Sequence, residues 1–414
     1  MKGLRIALVH NLKPPVKAEG LPADYYSECD SPKTVQSIAK ALRKAGHTVL
    51  PVEADRHLPR WFGEHSLDLA FNISEGFEGE SREARVPALL ELLEIPYTGS
   101  GVLALTLALD KAKSKQLFRA VGVPTPNFQL FCRPDEPLDK RLHFPLIVKP
   151  NREGSGKGIW AASVVRDEEA IRRQVKKVFT QYAQEVLVEE YIDGLELTVG
   201  ILGGEVLPVL EIDFSKCQPS GEYFYSWRMK EFQGNKEMHL TPRFWCPGRL
   251  DPPVTQAVQA VALKAARAVG YRDIARVDIR LSSDGIPYVL EVNPLPGLDP
   301  EESNMPLMAQ AAGVSYEAFI QRIVHLAVER SPKHCGQVKV KAAPPSSQKE
   351  GARSSIPSSK DAVPSSAASP GRALPDSGKS PSGSPGNPVI AVPQGPRRPG
   401  ASRNGDPKEE HLGR

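Results

Sequence analysis

The sequence predicts an α/β protein of three successive folded units followed by a disordered tail. Over the first hundred residues, short apolar runs alternate with helix-patterned segments, the mark of a mostly parallel sheet. From residue 195 to 293 strands come in pairs around turns, so this later part reads as α+β. After Arg330, Pro, Ser and Gly supply nearly half of the chain. Such a composition buries too little apolar surface to offset its chain entropy.

RIALVH (5–10) is a short apolar run and reads as a buried strand. A helix follows over 31–46, with Ser31 as its cap and Pro32 in its first turn, where no N–H partner is lost. Gly46 ends it, and HTVLPVEA returns as a strand. LDLAFNI (67–73) is a further strand, and VPALLELLEI (86–95) a helix stopped before Pro96. The first unit closes near 97–101. ALDKAKSKQLFRAVG (108–122) has the pattern of an amphipathic helix ended by Gly122. FPLIVKP (144–150) is a strand running into the glycine-rich NREGSGKGI. A helix is expected over 168–182 and a strand over QEVLVEEYI (184–192). LELTVGILGGEVLPVLEI (195–212) reads as two strands about a Gly-Gly turn. A helix covers 254–270, ARVDIRL (275–281) and PYVLEVN (287–293) form a hairpin, and a last helix spans 315–330.

Bulk properties exclude several functions. Of the 414 residues, 40% are hydrophobic and 25% charged, as in ordinary globular proteins. Apolar runs fall well short of the roughly 18 residues a membrane span needs, and no signal-peptide pattern follows the start. The five cysteines are scattered without CxxC spacing, which suits a reduced, cytoplasmic setting. The net charge of +4 arises in the tail, where residues 331–414 hold 13 Lys/Arg and 6 Asp/Glu and leave the body near −3. A slightly acidic body has no electrostatic footprint for nucleic acid.

Three stretches can carry chemistry. In ARVDIRL, Arg276, Asp278 and Arg280 share one face, because side chains alternate along a strand. Glu291 and Asn293 share a face of the paired strand. Two carboxylates and an amide converging across a hairpin suit Mg²⁺, a hard cation that takes oxygen ligands. A half-exposed strand bearing ordinary charges has the same pattern. The glycine-rich segment 149–159 can cradle phosphate with backbone N–H groups. It is not a P-loop, since Asn151 and Gly158 break GxxxxGK[ST], and a flexible hairpin loop fits it as well. Glu189 and Glu190, ending a strand and followed by Glu196, can hydrogen-bond adenine and ribose or simply edge a sheet.

Taken in order, the lysine helix, VKPNREGSGKGI, VLVEEYI…E, ARVDIRL and VLEVNPLPGLDP resemble the D-alanine–D-alanine ligase family of ATP-grasp enzymes over most of residues 66–330. The resemblance implies a three-unit ATP-grasp architecture with an N-terminal parallel-sheet domain (1–100), a central subdomain (101–188) and a C-terminal subdomain (189–330), before the tail (331–414). It implies an ATP-dependent carboxylate–amine ligase that forms a dipeptide through an acyl phosphate. ATP and two Mg²⁺ ions, with Mn²⁺ as an alternative, are the implied cofactors. Small amino acids are the implied substrates, and a homodimer is compatible; no partner of the tail is implied.

The resemblance also implies roles. Lys111 and Lys149 match the phosphate-side and adenine-side lysines, and Lys230 the γ-phosphate lysine of a mobile loop over 216–245. Glu189, Glu190, Ile192 and Glu196 match the adenosine contacts, and Ser155 and Gly156 the loop covering the phosphates. Asp278, Glu291 and Asn293 match the metal ligands. Arg276 and Gly297 match groups that stabilise the tetrahedral intermediate, and Ser303 the serine beside the second substrate's carboxylate.

The substrate half departs from the family. Its N-terminal GGxSxE loop is absent, which makes Glu28 the candidate replacement for the glutamate that holds the first substrate's amine. Glu75, standing where the family has a His before Gly, is the other candidate for that amine, and Glu231 stands where a Tyr is common. A ligase acting on other amino acids or on a peptide is therefore the alternative, and a silent ATP-binding module a more distant one. Truncation after Arg330 is expected to leave the melting temperature and ATP turnover nearly unchanged; a large loss of either shows that the tail packs on the body.

Overall fold

The computed structural model of the protein describes residues 3–15 and 18–331; the tail expected to be disordered, from 332 on, lies outside the described residues. The first sheet centres on β1 (Arg5–His10), whose Ile6, Ala7, Leu8 and Val9 are all 0% exposed. A strand buried on both faces needs helices above and below, and a parallel sheet supplies them. β1 pairs in parallel with β2 (Thr48–Glu53) on one side and β3 (Leu69–Asn72) on the other. Between β1 and β2 runs α1 (Pro32–Lys44), where the Ser31 hydroxyl accepts the Thr34 N–H at 3.0 Å. α2 (Leu58–Glu64) precedes β3, and α3 (Arg85–Leu92) follows it.

The helix expected over 108–122 begins at Lys111, and a further helix precedes it. α4 (Val102–Leu109) reads VLALTLAL, apolar all round, so it lacks the 3.6-residue period that reveals a helix. Asp110 ends it and caps α5 (Lys111–Ala120) by accepting the Lys113 N–H at 3.0 Å.

The second sheet is antiparallel throughout. It contains β4 (Phe128–Phe131), β5 (Leu146–Pro150), β6 (Val164–Val165) and β7 (Val186–Glu190) in the order β4-β7-β5-β6. β7 straddles the expected 188/189 boundary. α6 (Glu168–Tyr182) covers this sheet, packing Ile171, Val175 and Val178 against Leu146, Val148 and Val186.

The third sheet, also antiparallel, holds β8 (Gly194–Leu202), β9 (Glu205–Val206), β10 (Leu210–Asp213), β11 (Arg243–Trp245), β12 (Ile274–Ser282) and β13 (Pro287–Asn293). Its order is β11-β10-β8-β12-β13, with β9 beside β8. The short α7 (Trp227–Glu231) lies between β10 and β11. α8 (Pro252–Val269) packs Val258, Ala262 and Ala266 on Val199, Val277 and Ile279. α9 (Asn304–Ala311), which the sequence pattern did not reveal, and α10 (Tyr316–Arg330) complete the body. Phe319 and Ile323 of α10 share one core with Ile6, Leu8 and Ile38 of the first unit and Leu202 and Ile274 of the third. No described helix is long and apolar enough to cross a membrane.

Asp273 ties the first and third units together at the turn before β12. Its Oδ2 accepts the Gly99 N–H at 2.7 Å and the Arg330 guanidinium at 2.8 Å. Asp273 also sits at φ 59°, a conformation that costs most residues but that Asp tolerates. Asp273→Ala is expected to cost about 1–3 kcal/mol, because it leaves the buried Gly99 N–H unmatched; urea unfolding measures it, and a loss below about 0.5 kcal/mol shows that the tie is dispensable.

Candidate functional site

A cleft of about 670 Å³ opens among the three sheets, and every candidate residue from the sequence lines it. Its floor is the β12–β13 hairpin, whose register sets Arg276 opposite Asn293 and Asp278 opposite Glu291. The Arg276 guanidinium forks onto the Asp278 carboxylate at 2.9 and 2.8 Å. Asp278 also accepts from Thr198 Oγ1 at 2.6 Å and from Asn293 Nδ2 at 3.1 Å. Glu291 pairs with Lys111 at 3.1 Å, and Lys111 donates to the Glu153 carbonyl at 2.5 Å. Burial pushes the Glu291 carboxyl up, but Lys111, Lys149, Lys230 and Arg276 outweigh it and hold it well below the usual carboxylate range. Burial, then the Arg276 charge, lowers the Lys230 ammonium, which lies 5.0 Å over the Tyr225 ring. Two carboxylates and an amide at adjoining positions are an oxygen donor set that fits Mg²⁺. The surrounding cations suit phosphate oxygens.

Towards the second sheet, Lys149 and Lys115 meet on one buried carboxylate, that of Glu189, at 2.5 and 2.8 Å. Lys115 is 0% exposed and also donates to Thr125 Oγ1 at 2.9 Å. Burial lowers its ammonium to about 8 against the pull of Glu189. Sequence reasoning missed Lys115, although its spacing of four from Lys111 sets both on one face of α5. Glu190 turns to Asn127 and His143, both at 2.9 Å. The Ile192 carbonyl accepts from Arg280 at 3.0 Å. Glu196 accepts the Tyr225 N–H at 3.2 Å and faces Arg280 at 3.4 Å; burial raises its carboxyl, with Arg280 opposing. Arg280, read from sequence only as sharing a face with Arg276, thus braces the edge of the cleft.

The glycine loop and the segment expected to be mobile lie against each other. Ser155 and Gly156 take positive φ (51° and 72°), and a Cβ on Gly156 would come within 2.9 Å of the Trp227 nitrogen. The Trp227 N–H donates to the Ile159 carbonyl at 3.3 Å, and its ring meets that of Trp160 at 4.7 Å between centroids. Cys217, Met229 and Leu240 give the 216–245 segment a small core of its own. Glu231, at its near end, pairs with Lys13 at 3.0 Å.

The opposite end of the cleft is acidic. Glu28 and Glu75 come together with Glu83, which the sequence did not single out, and oxygens of all three lie within 4.8 Å of one another. Glu28 pairs with Arg82 at 2.6 Å and Lys157 at 3.0 Å and accepts the Gly154 N–H at 2.7 Å. Burial opposes ionisation of Glu28, but Arg82 and Lys157 prevail and lower its carboxyl. Glu75 is pushed well up by burial and by Glu28 and Glu83. Glu83 rises to about 7 through burial, despite Arg82. The charged run SREAR before α3 was the available signal for Arg82 and Glu83. Gly297 and Ser303 adjoin: Ser303 Oγ accepts the Asp299 N–H at 3.0 Å, and a Cβ on Gly297 would lie 2.8 Å from that oxygen.

Residues 117–325 match the family model described as the D-ala D-ala ligase C-terminus. The chain is 36% identical to an uncharacterized protein, y4sG, of Sinorhizobium fredii, over 72% of this chain and 88% of that one. It is 34% identical to a D-alanine–D-alanine ligase of Carboxydothermus hydrogenoformans, over 73% of this chain and 94% of that enzyme. The fold superposes on the crystal structure of D-alanine–D-alanine ligase from Bacillus anthracis complexed with ATP. The TM-score is 0.62 at 26% identity, covering 79% of this chain and 98% of that one. With this fold, this cleft and these relatives, the chain belongs to the D-alanine–D-alanine ligase family and is an ATP-grasp ligase.

Proposed function

We propose that the chain joins two amino acids at the expense of ATP. The carboxylate of the first attacks the γ-phosphorus, and ADP leaves. The amine of the second then attacks the acyl phosphate, and phosphate leaves as the dipeptide forms. The observation that carries this reading is the convergence of Lys111, Lys149, Lys230 and Arg276 with Asp278, Glu291 and Asn293 in one cleft. A phosphoryl group in transfer needs positioning and charge neutralisation more than covalent help.

In this reading Lys149, Glu189, Glu190, Ile192 and Glu196 hold the adenosine, while Lys111, Lys230, Ser155 and Gly156 face the phosphates. Asp278, Glu291 and Asn293 would hold Mg²⁺, two ions in the family pattern, which when bound offset phosphate charge as Lewis acids. Arg276, with the backbone at Gly297, stabilises the oxyanion that develops at the acyl carbon. Ser303 faces the second carboxylate. The 216–245 segment, packed on the glycine loop, keeps water from the acyl phosphate. Units at 1–100, 101–188 and 189–330 would then bring substrate, nucleotide and metal contacts respectively.

Two D-alanines are the substrates that the named relatives suggest, and a role in peptidoglycan assembly in the cytoplasm would follow. The acidic end favours a second reading, a ligase for other amino acids. Of the carboxylates put forward for the first amine, Glu28 already satisfies Arg82, Lys157 and Gly154. Glu75 makes no ion pair among the described residues and sits in mutual repulsion with its neighbours, so the ammonium is assigned to Glu75.

Asp278→Asn and Glu291→Gln are each expected to lower ADP release by about a hundredfold or more while the protein stays folded, because a neutral ligand no longer offsets the metal charge. Near-normal rates at saturating Mg²⁺ overturn the metal assignment. Glu75→Gln is expected to raise KM for the first amino acid about tenfold, equivalent to some 1.4 kcal/mol, with KM for ATP nearly unmoved. Steady-state kinetics with each substrate varied separately decides this, over a panel of D- and L-amino acids singly and in pairs.

A further inference from the structure

A set of buried contacts joins residues 24–28 to the glycine loop. Asp24 is 0% exposed, and its Oδ2 accepts the Gly158 N–H at 2.8 Å and the Tyr182 hydroxyl at 2.6 Å. Four residues on, Glu28 accepts the Gly154 N–H at 2.7 Å and the Lys157 ammonium at 3.0 Å. Arg82, paired with Glu28, donates to the Arg152 carbonyl at 2.7 Å. One short N-terminal segment and its arginine partner thus grip the loop at residues 152, 154, 157 and 158. Within the loop Ser155 sits at φ 51°, a conformation that is unfavourable outside glycine, and contacts from outside the loop help to hold it. Burying a carboxylate costs several kcal/mol of lost hydration unless fixed donors replace the water. Asp24 therefore stays in place only while Gly158 and Tyr182 are where they are, and they in turn are held by it.

The same segment reaches both other parts of the site. Tyr26, Ser27 and Glu28 line the acidic end of the cleft. The indole N–H of Trp227, from the covering segment, donates to Ser27 Oγ at 2.7 Å.

We propose that Asp24 is a positioning residue: through it, residues 24–28 set the glycine loop over the phosphates only when the amino-acid end of the cleft is in order. This rests on the ligase reading above. It links arrival of the first amino acid to closure over the nucleotide, so that ATP is not split without an acceptor and the acyl phosphate is not lost to water.

The test uses the full chain with Asp24→Ala and the milder Tyr182→Phe, which removes one hydroxyl and leaves the Gly158 contact. Asp24→Ala is expected to raise KM for ATP about tenfold. It should also lift the ratio of ADP released to dipeptide formed above one, while KM for the amino acids moves less. Tyr182→Phe shifts both in the same direction by a smaller factor. Should Asp24→Ala melt far below the parent, Asp24→Asn replaces it, since a neutral acceptor makes weaker bonds than a carboxylate. A folded Asp24 variant and Tyr182→Phe that both keep the parent KM for ATP and a ratio of one overturn the proposal. Titration of the intrinsic tryptophan fluorescence, to which Trp160 and Trp227 contribute, with ATP and Mg²⁺ gives a readout free of turnover. Weaker ATP binding in the Asp24 variant supports the clamp, and unchanged binding counts against it, even if no amino-acid pair releases ADP and the ligase reading itself fails.

Discussion

Lys111, Lys115 and Lys149 are 4%, 0% and 5% exposed, and the cleft depends on carboxylates being delivered to them. An ammonium removed from water loses hydration that only a close, well-oriented partner replaces. Glu189 serves two of these lysines from β7, and Glu291 serves the third from β13. Both strands must keep their register, because a slip of one residue would turn each carboxylate to the opposite face. The antiparallel pairing of β5 with β7 and of β12 with β13 is thus a requirement of the charge pattern as much as of the core.

The two ends of the cleft differ in charge. On the hairpin side basic groups gather around Glu291 and leave its carboxyl well below the usual range. That surplus of positive charge is suited to a polyanion. At the other end Glu75 and Glu83 crowd Glu28, and their carboxyls are raised instead. Arg82 and Lys157 are already committed to Glu28 and Glu153. A cation or a proton relieves the remaining repulsion. The cleft thus has a basic end and an acidic end.

The loops beside the cleft meet through another kind of interaction. The glycine loop, the 24–28 segment and the covering segment meet through the Trp160–Trp227 contact and the Trp227–Ser27 hydrogen bond. The three surfaces come from distant stretches of the chain. Small residues at 154, 156 and 158 make this possible. A Cβ at Gly154 would strike the Glu28 carboxylate at 2.5 Å, and one at Gly158 would strike Pro150 at the same distance.

By itself, the sequence determined the elements with a clear period and clear ends, and the side chains that alternate along them. Ser31 before Pro32 marked α1, Asp278 and Glu291 declared themselves on the faces of a hairpin, and the order of motifs identified the nucleotide half. These are local properties, readable within a few residues. It did not reveal α4, whose residues are apolar on every side, nor α2 and α9, which are short. Only the tertiary structure decided that Lys115 joins Lys149 on Glu189, that Glu83 joins Glu28 and Glu75, and that Asp24 grips a loop 134 residues away. Such partners are chosen by where packed sheets bring the backbone, and no local pattern encodes the distance between two points far apart on a folded chain.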